Sequence, residues 1–114
     1  MLNQAVLVGR IARDLEVRET ENGAKVSNLT LAIPRSYKNA DGVYETDFVD
    51  VTLWAGVAEN TAEYCRKGDI VGVKARLQAD TYEKDGEKKY TLNVVADKVT
   101  FLSSKAKAEP EPAL

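Results

Sequence analysis

The sequence predicts an all-β fold: a closed five-stranded barrel with one helix between the third and fourth strands. Runs of alternating apolar and polar residues recur from Ala5 to Leu102, rich in β-branched and aromatic side chains. The turn signals Asn22-Gly23, Asp41-Gly42 and Asp85-Gly86 punctuate them. One stretch alone, Val57 to Lys67, carries convincing helical spacing.

The first strand opens at Ala5-Val-Leu-Val and runs on toward Ala12. Gly9 inside it suggests a bend where a small barrel turns a corner. Arg10 and Arg13 follow, then a short extended piece around Glu16 to Glu19 and the Asn22-Gly23 turn. The second strand, Lys25 to Ile33, puts Leu29, Leu31 and Ile33 on one face and Val26, Asn28, Thr30 and Ala32 on the other. Pro34 has no N–H, so it is expected to end that ladder or to mark an edge. Arg35 to Gly42 reads as a hairpin tip that carries Arg35, Tyr37 and Lys38.

The chain is organised around the third strand, Glu45 to Trp54, which contains no Gly or Pro. Val49, Val51 and Leu53 form an aliphatic face. Phe48, Asp50, Thr52 and Trp54 form the other, where two large aromatics bracket two polar residues. A strand that only buried itself would not need that second face. Such a face suits stacking of flat rings such as nucleobases. The same pattern is also met where two aromatics lie beneath a loop or a subunit partner.

In the helix, Ala58, Ala62 and Cys65 recur at helical spacing, with Thr61 beside them. Glu59 and Glu63 stand toward its start, Arg66 and Lys67 at its end, and Gly68 in the position that often terminates helices. Cys65 reads as a small core residue rather than a reactive thiol. The fourth strand, Ile70 to Tyr82, buries Val71, Val73, Ala75 and Leu77 and presents Lys74, Arg76, Gln78, Asp80 and Tyr82. After Asp85-Gly86, the fifth runs from Tyr90 to Leu102 with Leu92, Val94 and Ala96 on its inner face. Strands, one helix, then strands is the pattern of an OB-fold, whose long hairpins bind nucleic acid. Residues 1–104 form this domain, and 105–114, rich in Lys, Ala, Glu and Pro, read as a short flexible tail.

Composition narrows the function. The 114 residues are 44% apolar and 30% charged, as in an ordinary soluble domain. A single cysteine rules out an internal disulfide, and there is no histidine. That excludes Cys/His zinc sites, histidine acid–base chemistry and a Ser-His-Asp triad. Asp47 and Asp50, the one close carboxylate pair on the central strand, point to opposite faces. No catalytic residue, metal or cofactor is predicted, and neither is an enzyme. The sequence shows no signal peptide and no apolar run of membrane-spanning length, so the expected location is cytoplasmic. Net charge is −2 and the tail is neutral by count, so any phosphate contact must come from a local cluster of cations.

Several segments resemble the bacterial single-stranded DNA-binding protein family. They are Val6-Leu-Val-Gly-Arg-Ile, Asn22-Gly23, Leu31-Ala32, Arg35-Ser-Tyr-Lys and Asp47-Phe-Val-Asp-Val-Thr-Leu-Trp, followed by Ala58-Glu59, Tyr64-Cys-Arg-Lys-Gly and Tyr82-Glu-Lys-Asp-Gly. The likeness spans roughly residues 2 to 102, in order and with few gaps, which is more specific than any one motif. It implies an OB-fold homotetramer that binds single-stranded DNA without strong sequence preference, is associated with the nucleoid, and serves replication, recombination or repair. The family's base-stacking aromatics fall on Tyr37, Phe48, Trp54 and Tyr82, although Tyr82 also reads as a packing residue at a strand end. Arg10, Arg35, Lys38, Lys74 and Arg76 are the candidate phosphate contacts.

Departures from the family pattern are visible. Many members carry an Arg just before the position of Tyr82, where this chain has Gln78-Ala79-Asp80-Thr81, and a Lys after the position of Trp54, where it has Ala55-Gly56-Val57. Asp50 adds a negative charge to the aromatic face. Full-length members end in a long linker and an acidic tip that recruits replication and repair enzymes, whereas Glu109-Pro-Glu-Pro-Ala-Leu offers two carboxylates and no aromatic end, so a short form is expected. The acidic balance leaves a second reading open: an OB-fold relative that mainly binds protein and holds DNA weakly.

Overall fold

The structure is a computed structural model that describes residues 1–103. The tail expected over 105–114 lies outside the described residues. The elements run β1 (Ala5–Ile11), β2 (Arg18–Glu19), β3 (Lys25–Lys38), β4 (Tyr44–Trp54), α1 (Ala55–Tyr64), β5 (Ile70–Lys84) and β6 (Glu87–Ser103). Five long strands form a ring in the order β1-β5-β6-β4-β3, closed where β3 meets β1 at Arg10↔Ala32 and Ile11↔Leu31. β2 is a two-residue strip on the start of β3. All pairings are antiparallel except that of β4 with β6. The expected barrel is present, with its helix between the third and fourth long strands.

Gly9 is what lets the ring close. A Cβ there would lie 2.8 Å from Ile33 Cγ1 and 2.9 Å from the Ala32 carbonyl oxygen. No side chain fits where β1 crosses onto β3. The inner faces then converge as period-2 alternation predicts. Leu29, Leu31, Val51, Leu53, Val71, Val73 and Ala75 are essentially inaccessible, and Ile11, Ala58, Cys65 and Ala96 complete the core. Burial raises the Cys65 thiol above its usual pKa, with the Asp69 charge a second cause, as befits a core residue.

Four details depart from the sequence expectation, each because a tertiary contact outweighs a local preference. The strand containing Pro34 does not stop there but continues to Lys38. Its register with β4 slips between Pro34 and Lys38, an irregularity that absorbs the missing donor.

The helix runs Ala55–Tyr64, starting two residues early at a left-handed Ala55 (φ 52°), with no acidic residue in its first turn. It ends before Arg66, Lys67 and Gly68, so Gly68 is not its terminator. The chain is instead pulled onto β1: the Gly68 N–H donates to the Ile11 carbonyl, and the Ile11 N–H to the Asp69 carbonyl, both at 2.8 Å. The Arg66 side chain still serves the helix end, its Nη1 donating to the carbonyls of Ala62, Glu63 and Cys65.

Leu77 and Leu92, expected inside, are 41% and 64% exposed, because the β5–β6 hairpin extends past the barrel as a two-stranded arm. On β6, one extra residue between the partners of Lys74 and Ala75 shifts the alternation, so that Ala96 and Val99, three positions apart, both stand opposite inward residues of β5, Ala75 and Val73.

Candidate nucleic-acid interface

The outer face of β3 and β4 carries the most concentrated set of exposed aromatics. Alternation puts Phe48, Asp50, Thr52 and Trp54 outward, directly opposite Ala32, Thr30, Asn28 and Val26. Phe48 is 67% exposed and Trp54 43%. They are six positions apart, about 20 Å along the strand, so the two rings stand as separate exposed surfaces. Tyr37 lies on the same hairpin near its tip and is exposed. Tyr44 is an exposed aromatic of this face that the sequence reading missed. It stands on the same alternation as Phe48, one position beyond the boundary at Glu45 from which the strand was counted. Lys38 pairs opposite Tyr44 and holds its Nζ 5.6 Å from the ring centroid, a cation–π contact.

Between the two large aromatics lies a polar network. Thr30 Oγ1 donates to Asp50 Oδ1 at 2.6 Å, and Arg13 Nε donates to Thr30 Oγ1 at 3.1 Å. Arg13 Nη2 stands 3.9 Å from Asp50 Oδ1. Asp50 is therefore not a bare negative charge on the aromatic face. An open polar groove of about 300 Å³ adjoins the network, lined by Arg13, Asp14, Glu16, Arg18, Asn28 and Asp50. Nothing in the local sequence marks Arg13, because it follows the end of β1 while its partners lie on β3 and β4.

The candidate cations divide. Arg10 is in the cross-strand row Arg10–Ala32–Phe48, two strands and roughly 10 Å from Phe48, and its Nη1 donates to the Gly68 carbonyl. Arg35 grips Asp47 through two nitrogens, at 3.1 and 2.9 Å, with Glu45 3.6 Å away. Those hydrogen bonds hold the Asp47 carboxyl below the usual carboxylate range and raise Arg35 further above its own. Lys74 and Arg76 face outward from β5, which neighbours β1 and β6 but neither β3 nor β4. The barrel therefore does not bring them together with Phe48 and Trp54, and Arg76 donates to Asp97 at 2.6 Å. Tyr82 is half-exposed on the β5–β6 arm. Asp80, on the same strand face, accepts from Asn93 at 2.7 Å and from Gln78 at 3.3 Å.

Among the described residues no group of three acidic, Cys or His side chains converges to hold a metal ion, and no helix is long and apolar enough to cross a membrane. What the fold and its surface define is an OB-fold with one sheet face of exposed aromatics interleaved with polar and charged groups. Comparison with known proteins makes the class specific. The Single-strand binding protein family model matches residues 2–102. The chain is 49% identical over 106 residues to single-stranded DNA-binding protein B of Bacillus subtilis (strain 168), covering 92% of this chain and 94% of that one. It is 47% identical to single-stranded DNA-binding protein 2 of Staphylococcus aureus (strain Mu50 / ATCC 700699), covering 92% and 75%. A solved deletion mutant of the single-stranded DNA binding protein from Thermus aquaticus superposes with a TM-score of 0.75 at 29% identity over 93% of this chain, which spans 53% of the length of that protein. The chain belongs to the Single-strand binding protein family.

Proposed function

We propose that this protein binds single-stranded DNA without strong sequence preference, stacking bases on Phe48, Trp54, Tyr37 and Tyr82. The observation that carries the reading is the exposed aromatic face of β4. Two large rings stand outward on one strand, and burying them is not their purpose in the barrel. Stacking tolerates any base because every base has a π-face. Phosphates are met by Lys38, Arg10 and the arginines near the face, with Lys74 and Arg76 reached only where the DNA passes round to the wall of β5. The protein is no enzyme in this reading; it protects single strands during replication, recombination or repair, in the cytoplasm at the nucleoid.

The working form is a homotetramer. Supporting this, Val6, Val8 and Leu102 are exposed on the outer wall formed by β1, β5 and β6. Gly72 is the floor between them: a Cβ there would meet Leu102 Cδ1 at 3.5 Å and Val8 Cγ2 at 3.9 Å. An apolar wall of this kind suits a second copy of the chain.

Titration with oligo-dT at two salt concentrations, read through Trp54, tests the reading. Trp54 is the only tryptophan, so its quenching by a stacked base is unambiguous. Single strands lose about 0.7 in log K per unit of log salt for each phosphate neutralised, so five engaged cations would give a slope near −3.5. Arg35 and Arg76 already have carboxylate partners, so the expected slope is shallower. Absence of both binding and quenching would favour the protein-binding alternative.

A further inference from the structure

We propose that Arg13 is a phosphate contact lying between the two large aromatics of β4, and that Asp50 is the residue that aims it. The proposal rests on the single-stranded DNA reading above and adds to it a residue outside the set expected from the sequence. It also reverses the role of Asp50, which by charge alone opposes a polyanion.

The network leaves little freedom in who donates to whom. Thr30 is buried, at 5% exposure, and its hydroxyl has one proton. At 2.6 Å that proton goes to Asp50 Oδ1, since a carboxylate only accepts. The lone pairs of the same oxygen then face Arg13 Nε, which donates at 3.1 Å. Behind this, the Ala12 N–H donates to the Thr30 carbonyl at 2.8 Å, so the backbone just before Arg13 is fixed to β3 as well. Arg13 is thus held by its stem side, through Nε, while its side chain remains 70% exposed. Nη2 leans toward Asp50 at 3.9 Å, beyond a tight ion pair, and the terminal fork of the guanidinium is left for an anion.

Position decides what that anion is. Asp50 lies two residues from Phe48 and four from Trp54 on one strand face, about 7 and 14 Å along it. A strand whose bases stack on both rings must cross this point, and its backbone carries a phosphate at every step. Two effects of Asp50 then compete. Its exposed charge repels the strand, but the high dielectric of the surrounding water weakens that repulsion, and salt confines it to the nearest phosphates. Against this, an arginine that swings freely loses its rotamer freedom on binding, whereas one bracketed by Thr30 and Asp50 has lost it already. Because Asp50 is itself compensated by Thr30 and Arg13, the aiming effect dominates.

A double-mutant cycle on the exposed residues tests this, with oligo-dT affinity measured at several salt concentrations around 0.1 M. Asp50→Ala in the parent protein should weaken binding by about two- to tenfold, the worth of one side chain that must now be ordered on binding. Arg13→Ala should weaken it and flatten the salt slope by about 0.7. In the Arg13→Ala background the sign should reverse: Asp50→Ala should now leave binding unchanged or tighten it, because only the repulsion remains to be removed. If Asp50→Ala tightens binding equally in both backgrounds, or Arg13→Ala changes neither affinity nor slope, the proposal is overturned while the reading of the aromatic face stands. If the parent protein binds no oligo-dT, both fall together.

Discussion

Phe48→Ala separates binding from folding most cleanly. The ring is 67% exposed, so only about a third of its surface contributes to the folded state. Burying a whole Phe side chain is worth roughly 1.5–3 kcal/mol, so the variant should lose only about 0.5–1 kcal/mol of stability. The same truncation removes an entire stacking platform, worth about 1–3 kcal/mol per base, which is about 5- to 150-fold in affinity. Trp54, about 20 Å away along β4, stays in place as the reporter. The assay is a fluorescence titration with oligo-dT, alongside urea unfolding of the same variant. Leu53→Ala is the contrast: Leu53 is fully buried and faces the core, so it should lose about 2–5 kcal/mol of stability. An unchanged oligo-dT affinity in folded Phe48→Ala would refute the stacking role of this face, because no other property of the ring compensates for its loss.

Gly9→Ala should lower the urea midpoint by about 1–3 kcal/mol of stability, since the added methyl meets Ile33 and the Ala32 carbonyl where the ring closes; an unaltered midpoint would mean that β1 and β3 can part at that point. Light scattering should give about four times 12.5 kDa, and Val8→Glu should dissociate the assembly. A stable 12.5 kDa species at micromolar concentration would contradict the tetramer. Cys65 should resist alkylation in the folded protein at neutral and mildly alkaline pH and react promptly in urea, because burial raises its pKa and keeps it as the thiol. The sign for stability follows. The advantage of the buried neutral thiol is full below its unfolded pKa and is lost as pH rises through the folded one, so the urea midpoint should fall more steeply at alkaline pH than in Cys65→Ala.

Much of the candidate site's arrangement was legible because alternation is a local property. One residue flips the face, so Phe48 and Trp54 had to share a side and oppose Val49, Val51 and Leu53. The structure keeps that arrangement, and the same rule reaches Tyr44 once β4 is allowed one more residue. The resemblance pointed to Tyr37 and Tyr82, and both are exposed.

Charges were not legible in the same way. Arg35, Arg76 and Arg13 read alike as cations in a sequence. In the fold each has a carboxylate partner, and all three partners lie on another element of the chain: Asp47 and Asp50 on β4, and Asp97 on β6. Ion pairing depends on distance through space, which cross-strand register sets and chain position does not. Topology likewise separated Lys74 and Arg76 from the aromatic face, since β5 lies on the far side of the ring from β3 and β4.

By itself the sequence determined the barrel, the position of its helix, the residues of its core and the aromatic face, because hydrophobic period and turn chemistry are written in neighbouring residues. Only the tertiary structure decided where α1 stops, where β3 carries on past Pro34, that Leu77 and Leu92 stand outside the core, and which charges remain free to meet a ligand. Each of these is settled by a backbone hydrogen bond, a register shift or an ion pair between residues far apart in the chain. Such contacts outweigh local propensities worth a fraction of a kcal/mol per residue.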